Sequence, residues 1–187
     1  GSFENTKSYY RLAVSESYLT KPFGTYESLR TADHEEYLAA EKGYRDYVYS
    51  TCLDISAQDK QLAANHFDLQ GSQGKLRSDM LSFFVSDTVL DRSKTYGGES
   101  SFADVLEATC RGGEEDFAAA AVKIFRAKGV PARLCRGYFI TSDMTKGLTD
   151  NSALTVTSKQ LHYWAEYYKD GIGWQPFEVC PDYIGMI

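Results

Sequence analysis

Apolar residues recur at helical steps through the first half of the chain and alternate or run together, as in strands, toward its end. Residues 8 to 20, SYYRLAVSESYLT, are rich in β-formers and predict an edge strand, closed by Pro22, Phe23 and Gly24. From Asp33, a capping residue followed by Glu35 and Glu36, the positions Tyr37, Leu38, Tyr44, Tyr47 and Val48 predict a helix to about Ser50. Ser56 is placed to cap a second helix over Leu62, Ala63 and Phe67. A third begins near Gln73 and carries Leu76, Met80, Phe83, Phe84 and Val89 at helical spacing before Gly97 and Gly98. Phe102, Val105 and Leu106 predict one more short helix.

The clearest helix opens after Gly112 and Gly113. Glu114, Glu115 and Asp116 suit the positive end of the macrodipole, and Ala118, Ala121, Val122 and Phe125 form an i, i+3, i+4, i+7 stripe. Ala118 to Ala121 let the backbone approach its neighbours closely, and Gly129 with Pro131 stops the helix. Three strand-like runs follow: Ala132 to Ile140, Leu161 to Lys169, and Trp174 to Cys180. Asp170 to Gly173 turns the last two into an antiparallel hairpin. The polar stretch from Thr141 to Gln160 reads as a loop overhanging this region, with Ala153 to Thr157 available as another strand. Helices first and strands last give an α+β order.

Composition narrows the function. A length of 187 residues with 43% hydrophobic and 25% charged residues suits one domain with a proper core, 1–187, helical over about 30–110 and strand-bearing over about 111–187. A net charge of −6 and a pI near 5.1 oppose a grip on nucleic acid, which needs clustered Lys and Arg. No run reaches the roughly 18 apolar residues of a membrane span, so this segment is expected to make no membrane contact, leaving open an anchor outside it. Cys52, Cys110, Cys135 and Cys180 lie far apart and form no C-x-x-C pair of a zinc or redox motif. Their even number permits disulfides in an oxidising compartment and equally suits buried free thiols.

From residue 112 onward several fragments share one order and spacing: GGEEDFA at 112–118, FRAKGVPAR at 125–133, Gly137-Tyr138, HYWAEYY at 162–168, GWQPFEV at 173–179, and Pro181-Asp182-Tyr183. Together they resemble the transglutaminase-like superfamily. Its bacterial members read Gly-x-Cys-x-x-x-Ala, Arg-Ala-x-Gly-Ile-Pro-Ala-Arg, Gly-Tyr, His-Ala-Trp-x-Glu-x-Tyr, Gly-Trp-x-Pro-x-Asp or Glu, and Pro-x-Tyr. The resemblance covers roughly the last 75 residues. It implies a papain-like fold with a cysteine at a helix N-terminus facing a histidine and an acid on adjacent strands, and acyl transfer through a thioester as the chemistry.

Carried over by position, the resemblance assigns the histidine to His162, the acid to Glu178 and the cysteine position to Glu114. A carboxylate there keeps the anion that a helix N-terminus favours and pairs with a protonated histidine, but it is a far weaker nucleophile than a thiolate. The expectation is therefore a degenerate, catalytically silent domain that needs no cofactor. It would bind a peptide or protein, or serve as a structural module of a bacterial envelope protein outside the cytoplasm. Trp164 is the residue expected to line the cleft. Trp174 and Tyr183 read more simply as core aromatics, and Glu166 as the partner of Arg133 or Arg136. The competing reading is a surviving acyl transferase or amide hydrolase that uses Cys110, or Glu114 as a base for water. A metal held by Glu114, His162 and Glu178 is disfavoured, because all three would have to converge on one point.

Overall fold

Side chains from three helices and a sheet meet on a single buried helix. The computed structural model describes residues 31–93, 101–149, 152–170 and 172–184. The strand expected at 8–20 lies outside the described residues. Helices α1 (Thr31–Thr51), α2 (Ala57–His66) and α3 (Gln73–Ser86) come first. Ser56 caps α2 by accepting from the Asp59 N–H at 3.0 Å, and Ser72 caps α3 by accepting from the Lys75 N–H at 3.1 Å.

Val89 departs from the expected helical run. The helix stops at Asp87, and Val89 enters β1 (Val89–Leu90), which pairs in parallel with β2 (Arg111–Gly112). The Val89 N–H donates to the Cys110 carbonyl at 2.8 Å and the Asp91 N–H to the Gly112 carbonyl at 2.8 Å. A partner strand distant in sequence thus overrides the local periodicity. The short helix expected around Val105 is present as a π turn, Asp104–Ala108, which buries Val105 and Leu106.

Helix α4 (Glu114–Lys128) is the centre of the domain. The stripe read from sequence was one-sided, yet Phe117, Ala120, Ile124 and Ala127 are buried as well as Ala118, Ala121, Val122 and Phe125. Between its first and last residues only the stripe of Glu115, Ala119, Lys123 and Arg126 is left partly exposed, so the helix is enclosed on several sides. Phe84 of α3 meets Phe117 at 5.3 Å between ring centroids, and Phe125 packs at 5.0 Å on Tyr167 and 5.1 Å on Phe177 of the sheet. Gly129, at φ 87°, closes α4 with the bond pair Gly129 N–H to Arg126 carbonyl and Val130 N–H to Phe125 carbonyl. The Arg126 and Lys128 side chains then donate to the carbonyls of Asp54, Ala132, Leu69 and Gly71, tying the helix end to earlier loops and to the start of the next strand.

Strands β3 (Ala132–Tyr138), β4 (Leu161–Lys169) and β5 (Gly173–Phe177) form an antiparallel sheet in the order β3-β4-β5. Gly137 stands opposite His162, and Ala165 stands opposite Phe177. Two runs are shorter than the pattern suggested, so Phe139, Ile140 and Glu178 lie just beyond strand ends. Ala153–Thr157 forms no strand. The loop before β4 instead holds one helical turn, α5 (Ser142–Thr145), and a 3-10 turn, Ser158–Gln160, that leads into the strand. All four cysteines are free thiols.

Truncation of Phe125 tests the central position of α4. Phe125→Ala is expected to lower unfolding free energy by about 3–5 kcal/mol, the usual cost of emptying a closed aromatic site. A urea titration of the variant against the parent protein measures it, and a loss under about 1 kcal/mol would contradict this packing.

Candidate functional site

Glu114 is the first residue of α4, and its position is set by what precedes it. The Gly113 N–H donates at 2.9 Å to Asp116, a buried carboxylate at the third helical position, and this bond turns the chain into the helix. Gly112 is sterically required, because a Cβ there would lie 2.8 Å from the Asp116 Cβ and 3.1 Å from the Phe117 ring. Glu115 and Glu114 remain as acids at the positive end of the helix.

The three residues expected from the sequence are brought together, with His162 between the two acids. His162, 2% exposed, bonds through Nδ1 to Glu114 Oε2 at 2.9 Å and through Nε2 to Glu178 Oε2 at 2.6 Å. Glu178 is itself fixed, its Oε1 accepting from the Cys180 N–H at 2.7 Å. A neutral imidazole has one N–H and cannot donate to two carboxylates, so the arrangement fits an imidazolium between two anions. Burial pulls the His162 pKa down, but the bonds to Glu114 and Glu178 and their charges outweigh it and raise it to about 9. The carboxylates approach opposite nitrogens of the ring, so the three groups are spread around the imidazole instead of converging. Among the described residues no cluster of three His, Cys, Asp or Glu side chains is placed to hold a metal ion.

Aromatic rings enclose the histidine. Tyr183 lies 4.5 Å away, Phe139 5.5 Å and Trp164 6.1 Å in a near-parallel stack. Burial, with the Glu114 charge adding, pushes the Tyr183 hydroxyl pKa up. The half-buried Trp164 lies over Gly137, where a Cβ would come within 2.9 Å of its ring, and its indole N–H donates to Glu166 at 3.3 Å. Of the two arginines considered for Glu166, Arg133 is the partner, at 2.6 Å. Trp174 is elsewhere, covered by the Arg133 guanidinium at 4.2 Å and donating to the Tyr44 hydroxyl at 2.7 Å.

Phe139 and the Arg92–Asp182 pair were not singled out in the sequence. Phe139 is one apolar residue in a strand-like run, with nothing to mark it. Arg92 holds Asp182 at 2.7 Å from a distant segment and so anchors the turn bearing Tyr183, a contact no local pattern announces. Cys110 has φ 47°, and its Sγ lies 3.8 Å from the carbonyls of Leu106 and Glu107. Burial and, second to it, the Glu166 carboxylate push the Cys135 thiol up to about 11. Burial pushes the Cys180 thiol up to about 12, with the Glu114 and Glu178 charges adding.

A central helix whose first residue meets a histidine on an antiparallel sheet, with an acid after the next strand, defines the papain-like transglutaminase core. The profile of the transglutaminase-like superfamily matches residues 78–179, and the chain belongs to that superfamily. The uncharacterized protein YebA of Bacillus subtilis strain 168 is 34% identical over 64 residues, which is 34% of this chain and 9% of YebA. Two crystal structures of the periplasmic domain of TgpA from Pseudomonas aeruginosa share the fold. The one bound to ethylmercury has a TM-score of 0.56 at 21% identity, covering 74% of this chain and 49% of that one. The other has a TM-score of 0.51 at 22% identity, covering 74% and 48%. The chain thus spans about half of the TgpA domain and a small part of YebA.

The raised histidine pKa fixes the sign of a pH effect. A group that binds its proton more tightly when folded stabilises fully below its unfolded pKa, near 6.5, and loses that contribution as pH rises through about 9. Unfolding free energy is expected to fall by on the order of 3 kcal/mol between these limits. Denaturant titrations across this range measure the fall, and Glu114→Gln should flatten it. An equally steep fall in that variant would show that Glu114 does not hold the proton.

Proposed function

We propose that this chain is a catalytically silent member of its superfamily, in which Glu114 occupies the position of the nucleophilic cysteine. The domain keeps the cleft beside Trp164 for recognition of a peptide or protein. The observation that carries this reading is the engagement of both His162 nitrogens by carboxylates. A histidine held in this way as an imidazolium has no free nitrogen to accept a proton, and the group facing it is a poor nucleophile. Glu114, already paired with the imidazolium, is likewise a weak base for water. The likeness to periplasmic TgpA domains supports a place outside the cytoplasm, in a larger bacterial envelope protein.

Alkylation of each cysteine as a function of pH, followed by mass spectrometry in the parent protein and in His162→Ala, tests the silence. None is expected to react well below the ordinary thiol pKa of about 8.5. A cysteine that does, and loses that reactivity without His162, would be a working nucleophile, Cys110 being the first suspect. Glu114→Cys is expected to create such a thiol, since it places sulfur beside His162 at the helix N-terminus.

Recognition has a separate test. Trp164→Ala is expected to weaken capture of peptides by at least tenfold while leaving the thermal midpoint within a few degrees. Unchanged affinity would remove Trp164 from the binding surface.

A further inference from the structure

Among the described residues, no strand pairs with the outer edge of β3. The Tyr168 N–H donates to the Pro131 carbonyl and the Phe139 N–H to the Gln160 carbonyl, at either end of the β3–β4 register. Bonded and non-bonded pairs alternate along an antiparallel ladder. The backbone groups of Arg133, Cys135 and Gly137 therefore face β4, and those of Ala132, Leu134, Arg136 and Tyr138 face outward. Ala132 shows the direction, because its N–H donates to the Cys52 carbonyl at 3.1 Å and its carbonyl accepts from Arg126 at 3.0 Å. Beyond Ala132, nothing among the described residues bonds the outward N–H and C=O groups of Leu134, Arg136 and Tyr138.

The side chains beside this edge are those of a contact surface. Leu134 is 39% exposed, Tyr138 55% and Ile140 47%, and the exposed Arg136 has no carboxylate partner among the described residues. Free edges are normally blunted by proline, bulges, lysine or a covering loop, and one arginine is the single charge between Leu134 and Ile140 here. The edge also adjoins the site described above. Gly137 stands opposite His162, and the next residue after Tyr138, Phe139, packs against the His162 ring.

We propose that β3 binds an extended peptide as an added strand, with a carboxylate of that peptide set against Arg136 and apolar side chains two residues to either side against Leu134 and Tyr138. Backbone pairing supplies the grip, and alternate side chains supply the selection. A second copy of the chain is the poorer occupant, because an antiparallel self-pair centred on Arg136 would set two guanidinium groups directly opposite each other. The proposal rests on the reading of this domain as a peptide-recognition module and adds to that reading a surface separate from the cleft beside Trp164.

The probe is the peptide acetyl-Thr-Val-Thr-Glu-Thr-Val-Thr-amide, with amide hydrogen exchange on the whole chain as the readout. In the free protein the Leu134, Arg136 and Tyr138 amides are expected to exchange faster than those of Arg133, Cys135 and Gly137, and the peptide is expected to slow them at least tenfold. Arg136→Glu, at an exposed position, should weaken binding about fivefold, the upper range for an opposite-charge pair across strands. Replacing the central Glu of the peptide by Lys should restore binding to that variant. Slow exchange of the three amides in the free protein would overturn the proposal, since another part of the chain or a second copy would already cover the edge. Absence of binding at millimolar peptide would overturn it too. Binding that depends on Trp164 and leaves the three amides unaffected refutes the edge and keeps the cleft. Protection indifferent to Trp164→Ala keeps the edge and refutes the cleft.

Discussion

Enclosure of α4 is the constraint on which the domain depends. A helix of 15 residues buried on several sides must be met by α2 and α3, by the π turn and by the sheet at once. The run Ala118 to Ala121 allows this, because short side chains permit close approach, while Phe117, Ile124 and Phe125 fill the space at either end. Both ends are fixed by polar contacts: Asp116 turns the chain into the helix, and Arg126 and Lys128 tie its last turn to neighbouring carbonyls. Little freedom is left for the first residue, Glu114, whose reach to His162 follows from the placement of the whole helix.

The site built at that end is charged and largely buried, a costly arrangement unless every charge is paired. Two short, charge-assisted bonds at 2.9 and 2.6 Å, one on each edge of the ring, offset the desolvation of His162. Removal of one carboxylate leaves one N–H of the imidazolium without its acceptor in a low dielectric, so the three residues act as a unit. The aromatic walls of Tyr183, Phe139 and Trp164 strengthen the pairing by excluding water. Membership of the transglutaminase-like superfamily accounts for the frame that holds these residues, and the chemistry open to them follows from the groups themselves.

Much of this was legible in the residues. Helix starts at Ser56 and Glu114, the stop at Gly129 and the hairpin around Gly173 rest on local signals, and the grouping of Glu114, His162 and Glu178 rests on the resemblance to the superfamily. Val89 was misread because a short parallel pair with Arg111 outweighs helical spacing over two residues. Ala153 to Thr157 has β-forming residues but no partner strand among the described residues, and propensity without a partner makes no sheet.

By itself the sequence determined most helix starts and stops and the final hairpin, since capping and turn chemistry act within a few residues, while Glu114, His162 and Glu178 were grouped through the resemblance to the superfamily's spaced motifs. Tertiary structure alone decided that α4 is covered on several sides, that Arg92 anchors the turn carrying Tyr183, and that Glu114 and Glu178 take opposite nitrogens of one ring. Those outcomes depend on groups far apart in the chain, and their energies are realised only when packing brings the partners together and removes the water between them.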